Sequence, residues 1–158
     1  MVNPLVGVHA FLGEIGIAAF LWTFVEMLKP TPSRLRRAKI AAFLGVVFFF
    51  ASWIVGGYYY LNYYGSLVKP VILKGPQSWA HNIFTETKEH IFLFLPFLST
   101  FVYTLLIRYQ SHLRGDKDPK ARKAILLLCL LVIILGALMA FMGYMISSGY
   151  RAALEVVP

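Results

Sequence analysis

Four long runs of apolar residues, separated by short polar or basic segments, dominate the pattern of the chain. The runs are Pro4–Leu28, Ile40–Tyr64, His90–Ile107 and Ala124–Ile146, and each contains few or no charged residues. A helix of about 20 residues crosses a hydrocarbon core of about 30 Å, so each run is long enough to span a membrane. The third run is the shortest, and we expect its helix to begin earlier, at about residue 82, because the segment 82–89 has no glycine or proline. The predicted helices lie near 4–28, 40–64, 82–107 and 123–149.

Turn-forming residues mark the connections between these helices. Pro30 and Pro32 end helix 1, and Ser33 is a candidate N-cap for a short lead into helix 2. Because the connections on one side are short, helices 1 and 2 and helices 3 and 4 should be antiparallel neighbours. We therefore predict an up-and-down four-helix bundle that forms a single domain over 1–158. The outer 65–80 connection is broken by Gly65, Pro70, Gly75 and Pro76, and the chain turns back toward helix 4 at Gly115, Asp116, Asp118 and Pro119.

Composition agrees with an all-α polytopic membrane protein. Hydrophobic residues make up 59% of the chain and charged residues 14%, and the mean hydropathy is +0.69. These values lie far from those of soluble domains. The N-terminal run has no basic segment before it and is too long for a secretory signal, so we interpret it as helix 1. Cys129 has no partner cysteine and is expected to be a packing residue in helix 4.

The distribution of the 15 lysine and arginine residues predicts the orientation of the chain. Eleven of them lie in the first and third connections, and cytoplasmic loops are enriched in such residues. Both termini and the 65–89 connection should therefore lie outside, which is the periplasm if the protein sits in a bacterial inner membrane. The net charge of +8 is explained by this topology and by contact with anionic lipids, without nucleic acid.

Two histidines, His9 and His90, lie at matching depth near the outer ends of helices 1 and 3. Counted from the basic residues that close each run, both are roughly 26–29 Å from the inner ends. Gly13 and Gly16 share the face of His9 and would leave a groove for a flat ligand. Helix 3 adds a wall of phenylalanines below His90, at Phe94, Phe97 and Phe101. This pattern favours one haem b held between helices 1 and 3, with the two imidazoles as axial ligands.

Other residues complete this hypothetical site. Tyr58 and Met142 come to a similar depth on helices 2 and 4, and Arg151 is placed to pair with a haem propionate or to anchor the helix at the interface. Tyrosines crowd the outer end of helix 2, where they would form an interfacial aromatic belt or line a pocket for a quinone headgroup. Glycine and phenylalanine at helical spacing are also the usual means of packing membrane helices, so these stripes have a structural explanation as well.

The residues also allow a non-haem metal site or a cofactor-free protein. Two histidines and two glutamates could bind iron, copper or zinc, but His9 and Glu14 are five residues apart and cannot both point at one ion. Copper would favour histidine with methionine near the outer face. Glu14 lies well inside the hydrocarbon, and we expect it to face the bundle as a protonatable or hydrogen-bonded group. The alternative ligands for such an ion are Glu14, Glu86, Glu89 and His81; the methionines are Met139, Met142 and Met145.

The absence of an intramembrane histidine near the inner face limits the expected function to one haem. Such a chain would be an electron-transfer subunit that exchanges electrons with quinone or with a larger redox complex, rather than an enzyme by itself. The other partners expected are the lipid bilayer and further copies of the chain. With His9, His90 and four helices, the chain resembles the small bacterial b-type cytochromes and the copper-resistance D-like membrane proteins in architecture. That resemblance implies a membrane protein handling electrons or copper.

Overall fold

Four long helices account for most of the chain in the structure, a computed structural model that describes residues 3–114 and 117–156. A short helical turn, Gln110–Leu113, follows the third helix, and the described residues contain no β-strand. Each long helix is long and apolar enough to cross a membrane, which confirms the predicted all-α class and membrane character. The helices are α1 (Pro4–Met27), α2 (Pro32–Lys74), α3 (Ala80–Arg108) and α4 (Pro119–Leu154).

Side-chain caps and prolines set the starts of three helices. Asn3, Thr31 and Asp118 each accept a hydrogen bond from a backbone N–H in the first turn, and a proline follows each of them at the first helical position. The predicted cap for helix 2 was wrong, because Thr31 caps α2 and Ser33 lies inside its first turn. As a result α2 begins eight residues before the predicted boundary at residue 40.

Gly65 and Pro70, predicted to break the second connection, instead lie within α2. The helix widens to a π-helix over Tyr60–Val68, and the N–H of Lys69 bonds to the carbonyl of Tyr64, five residues back. This register places Pro70 at the start of the next α-helical turn, where its missing N–H is tolerated. Only Gly75 and Pro76 end the helix. The predicted turn residues Gly115 and Asp116 lie outside the described residues.

Small residues let α1 pack tightly along α2. A Cβ atom added to Gly16 would lie 2.8 Å from the ring of Phe49, and one added to Gly45 would lie 2.6 Å from the ring of Phe20. The two phenylalanine rings stack with centroids 5.8 Å apart. α1 also packs on α4, α2 on α3 and α3 on α4, while many large apolar side chains point outward, as expected for a surface in lipid.

The bundle has two chemically different ends. At the end that carries the α1–α2 connection, which we call the basic end, Arg122 donates a hydrogen bond to the carbonyl of Leu28. The opposite end, where α1 begins and α4 finishes, is called the terminal end. Here α2, α3 and α4 form a second apolar cluster, centred on Tyr64, Ile72 and Ala80.

Candidate functional site

Three buried polar side chains meet between α2 and α3 at the terminal end. The exposed fractions of His81, Tyr64 and Thr85 are 2%, 3% and 5%. The Tyr64 hydroxyl lies 3.0 Å from Nδ1 of His81 and 2.8 Å from the Thr85 hydroxyl, and Thr85 donates to the carbonyl of Ala80. Because Thr85 donates its hydrogen to the Ala80 carbonyl, it must accept from the Tyr64 hydroxyl. The Tyr64 oxygen in turn accepts from Nδ1 of His81. All three polar groups are thereby paired inside an otherwise apolar region.

Two π-helical segments produce this meeting point. Tyr64 lies in the π-helical part of α2, and α3 begins with a π-helical segment at Ala80–Thr85. The wider register lets the Thr85 hydroxyl reach the carbonyl five residues back and brings His81 beside Glu86. π-Helical segments are rare and are often found at functional sites.

Glu86 connects the buried triad to the surface. Its Oε1 lies 3.4 Å from Nε2 of His81, and its side chain is 48% exposed whereas that of His81 is 3% exposed. A path of polar contacts therefore begins at an exposed carboxylate that lies beside the imidazole, and it continues inward through hydrogen bonds from the imidazole to two hydroxyls.

One turn along α3, two charged side chains point into the bundle without ionic partners. Oε1 of Glu89 is buried and has no hydrogen-bond partner among the residues that the structure describes, although the Tyr60 hydroxyl lies beside this carboxyl. Within the same described part of the chain, Lys88 makes no hydrogen bond or salt bridge, and a Cβ added to Gly143 of α4 would lie 3.1 Å from its ammonium nitrogen. Charged side chains that lack ionic partners are costly in a membrane, which marks this level as a candidate functional site.

His9 forms the α1 side of this level. Its Nδ1 lies 2.8 Å from the carbonyl of Ser52, and the Ser52 hydroxyl donates to the carbonyl of His9 over 2.9 Å. The ring nitrogen therefore donates to the Ser52 carbonyl, and Lys88 is close enough for its charge to act on the imidazole. We call the whole set the polar cluster: His9, Ser52, Tyr60, Tyr64, His81, Thr85, Lys88 and Glu89.

His90 lies outside the polar cluster, and the two histidines of the predicted haem site do not face each other. Its side chain is exposed and its Nδ1 donates to the carbonyl of Glu86 over 2.6 Å. Residues two apart on a helix point about 200° away from each other, so the inward direction of Lys88 turns His90 outward. The exposed rings of Phe94, Phe97 and Phe101 continue the same outer face.

The predicted groove beneath His9 is filled by α2. A Cβ added to Gly13 would lie 3.3 Å from the Ser52 hydroxyl, and the ring of Phe49 covers Gly16. These glycines pack two helices together, so the groove leaves no room for a flat ligand within one chain. Close packing of membrane helices is the alternative explanation that the glycine spacing also allowed.

The other predicted site residues are dispersed. Tyr58 is exposed, and its ring packs against Tyr63 at 6.3 Å. Met142 is buried in the main apolar core together with Met139, and Arg151 donates to the Ser147 hydroxyl on its own helix. Within residues 3–114 and 117–156, no three histidine, cysteine, aspartate or glutamate side chains converge as a metal site would require.

Glu14 is exposed on α1 rather than turned into the bundle as expected. A glutamate that is held by partners is Glu26 at the basic end, which is 7% exposed. Its carboxylate accepts from Arg34 at 2.9 Å, from Arg37 at 2.7 Å and from the indole of Trp22 at 3.1 Å. These contacts hold α1 and α2 together where they are joined.

A cleft of about 350 Å³ opens beside the start of α1 at the terminal end. Its walls come from α1, α2 and α4, and three tyrosines contribute rings and hydroxyl groups. This is the aromatic surface expected at a membrane interface. The lining residues are Asn3, Pro4, Tyr59, Tyr63, Leu67, Val68 and Tyr150.

Sequence reasoning missed five members of the polar cluster: Ser52, Tyr60, Tyr64, Thr85 and Lys88. The sequence pattern places Tyr64 among the tyrosines of the aromatic belt or quinone pocket and Lys88 among the outer cations. A usable signal exists in α3, because His81, Thr85 and Glu89 recur every four residues on one helical face.

No family model, curated protein or solved structure matches the chain. The function of the chain is therefore inferred from its side chains and their contacts.

Proposed function

We propose that the chain is a proton-handling subunit of a membrane complex, and that its polar cluster exchanges protons with the aqueous phase at the terminal end. The observation that carries this proposal is the exposed Glu86 joined to buried His81, Tyr64 and Thr85, with Lys88 and Glu89 one turn deeper. Chains of ionisable groups inside membrane bundles are a common feature of proton relays.

Hydrogen bonds in this path support stepwise transfer. A proton that reaches His81 Nε2 from Glu86 allows Nδ1 to release its own proton to the Tyr64 oxygen, which in turn passes its hydrogen to Thr85. For the transfer to continue, the Thr85 hydroxyl must turn from the Ala80 carbonyl and release its own hydrogen to the carboxylate of Glu89, four residues later on the same face of α3. Each group that gains a proton then loses one, and the transferred proton ends on Glu89.

The charge distribution supports an up-and-down bundle with its terminal end and both termini outside. The basic end carries Arg34, Arg37 and Arg122, and such residues accumulate on the cytoplasmic side. In a bacterial inner membrane the polar cluster would then open to the periplasm.

The path stops below His9. Phe20, Phe49 and Met139 fill the next layer of the bundle and are buried apolar side chains. One chain is therefore not expected to conduct protons across the membrane. It would supply or remove protons for chemistry in the outer leaflet, such as quinone oxidation by a larger redox complex.

One-sided pH changes test this proposal. The chain, with ¹³C-labelled glutamate and ¹⁵N-labelled histidine, is reconstituted in vesicles with one orientation, and protonation is followed by isotope-edited infrared and NMR spectra. A pH step on the terminal side should change the Glu89 and His81 signals, while an equal step on the basic side should not, because the apolar layer separates them.

Two variants assign those signals. Glu89→Gln should remove the carboxyl signal and alter the response of His81, whereas Glu155→Gln, on the exposed end of α4, should change neither. Signals of Glu89 and His81 that stay constant over the whole pH range in which the protein is folded, or that respond equally to both sides, would contradict the proposal.

A second candidate function, electron transfer through haem b, is favoured by the hydrogen bonds of the two histidines. Nδ1 of His9 donates to the Ser52 carbonyl and Nδ1 of His90 to the Glu86 carbonyl, which leaves each Nε2 as the metal-binding nitrogen. Since His90 faces outward, a second chain or another subunit would have to complete the haem site. Bound haem would supply one-electron chemistry.

An absorption spectrum decides this second candidate. Protein purified from haem-replete cells should show b-type bands in the reduced-minus-oxidised spectrum, and His90→Ala should abolish six-coordination while His112→Ala at the basic end leaves it unchanged. Colourless protein that is folded and oligomeric would exclude haem.

A further inference from the structure

Glu14 is an ionisable side chain on the outer face of α1, within the span that crosses the hydrocarbon. It lies roughly 21 Å from the inner end of the helix, inside a core of about 30 Å. Its side chain is exposed, and among the described residues none forms a hydrogen bond or an ion pair with it. A carboxyl group in hydrocarbon is costly unless a partner satisfies it, so this face of α1 is incomplete in one chain.

The residues around Glu14 form a narrow face suited to close helix contact. Ala10 and Ala18 lie four residues before and after it, and Gly7 lies two turns before it; all are exposed. Small residues at this spacing allow two membrane helices to approach closely. Phe11, 62% exposed, flanks the face on one side.

A second copy of the chain is a better hydrogen-bonding partner for Glu14 than a helix of different sequence. A two-fold axis along the membrane normal brings each residue to the depth of its own copy, so Glu14 meets Glu14. A protonated carboxyl group donates and accepts one hydrogen bond, and two such groups are therefore complementary to each other. The alanines let the backbones approach far enough for these short side chains to meet.

We propose that two copies of this chain pack through their α1 helices, with the Glu14 carboxyls hydrogen-bonded at the centre of the interface. The inference is independent of the proton-handling function, because Glu14 lies outside the polar cluster.

Cysteine cross-linking in native membranes tests the arrangement, with Cys129 replaced by alanine in every variant. Ala18→Cys should give a disulfide-linked dimer on mild oxidation. Ile134→Cys is the matched control, because it is exposed on α4 and lies close to the depth at which Ile17 contacts Gly136. It should give no disulfide-linked dimer.

Substitution of Glu14 tests its part in the contact by fluorescence transfer between labelled chains in vesicles. Glu14→Ala should weaken association by roughly 3- to 20-fold, the range measured for hydrogen bonds between membrane helices. Glu14→Gln should stay close to the original affinity, because a carboxamide also donates and accepts.

Three results would overturn the proposal: a monomer in vesicles at all protein-to-lipid ratios, equal cross-linking at the two cysteine positions, or a cross-link from Ala18→Cys to a different protein. Glu89→Gln should leave the dimer intact. Loss of the dimer proposal would therefore leave the proton-handling proposal standing, and the reverse also holds.

Discussion

Two neighbouring glycines of α2, Gly56 and Gly57, show how closely single residues set the position of His9. A Cβ added to Gly56 would lie 2.6 Å from Nδ1 of His9, whereas one added to Gly57 would have nothing within 4 Å. The imidazole thus packs directly on the backbone of α2 and can bond to Ser52 only because residue 56 has no side chain.

Gly56→Ala is expected to displace the His9 ring and to lower the free energy of unfolding by about 1–3 kcal/mol, as overpacking does in other proteins. Gly57→Ala is the matched control and should be neutral or stabilising, by up to about 1 kcal/mol, because alanine favours the helix. Thermal unfolding of the purified proteins in one detergent measures both. Equal melting temperatures for the two variants would argue against the close contact with His9.

Tyr64→Phe should remove the hydroxyl that joins His81 and Thr85 and leave buried polar groups without partners. The expected loss of stability is about 1–3 kcal/mol. Tyr63→Phe, one residue away, removes a hydroxyl that has no hydrogen bond within the described chain and should change stability by less than about 0.5 kcal/mol. The imidazole NMR signal of His81 reports the local effect: it should move in the first variant and stay unchanged in the second.

The depth of these residues is predictable from the sequence, but their rotation about the helix is not. Counting residues puts His9 and His90 near one level, because helical rise is constant. Which of them points inward depends on which side of α3 meets α4. The phenylalanines of α3 do not predict which face points inward, since aromatic rings occur both against lipid and in a protein core.

At the level of elements, the widened parts of α2 and α3 determine where polar groups can meet. Gly65 and Pro70 indicate a break by their local preferences, yet the π-helical register keeps α2 continuous. Tertiary packing outweighs local preference here: Tyr64 and Val68 are buried against α3 and α4. By contrast, the end of α1 before Pro30 follows directly from the sequence.

The α1–α2 pair should depend on the carboxylate of Glu26 at the basic end. Arg37→Gln removes two hydrogen bonds to it and is expected to lower the melting temperature by a few degrees. Arg36→Gln is the matched control, because Arg36 is exposed and makes no hydrogen bond within the described residues, so it should have little effect. The difference between the two variants should persist at high salt, because the Glu26 carboxylate is buried and a partly buried pair is screened little. No difference between the two variants would contradict this role of Arg37.

For the whole molecule, the unequal ends predict the orientation in the membrane. A phosphatase fused after residue 158 should be active, because this reporter works only outside, whereas a fusion in the 109–118 connection should be inactive. Fluorescent-protein fusions at the same sites should give the opposite pattern. Exchange of Arg34, Arg36 and Arg37 for glutamine is expected to produce mixed orientations, since the loop charges set the topology. A phosphatase active only in the connection would show the reverse orientation.

The contacts of Glu26 also bear on how the protein is made. Glu26 and its two arginine partners precede every residue of α3 and α4 in the chain. Synthesis proceeds from the N-terminus, and early segments fold while later ones are still being added. The first two helices can therefore insert into the bilayer as a hairpin held together by these salt bridges. Their orientation in the membrane is then fixed before the ribosome adds α3 and α4, which pack against them.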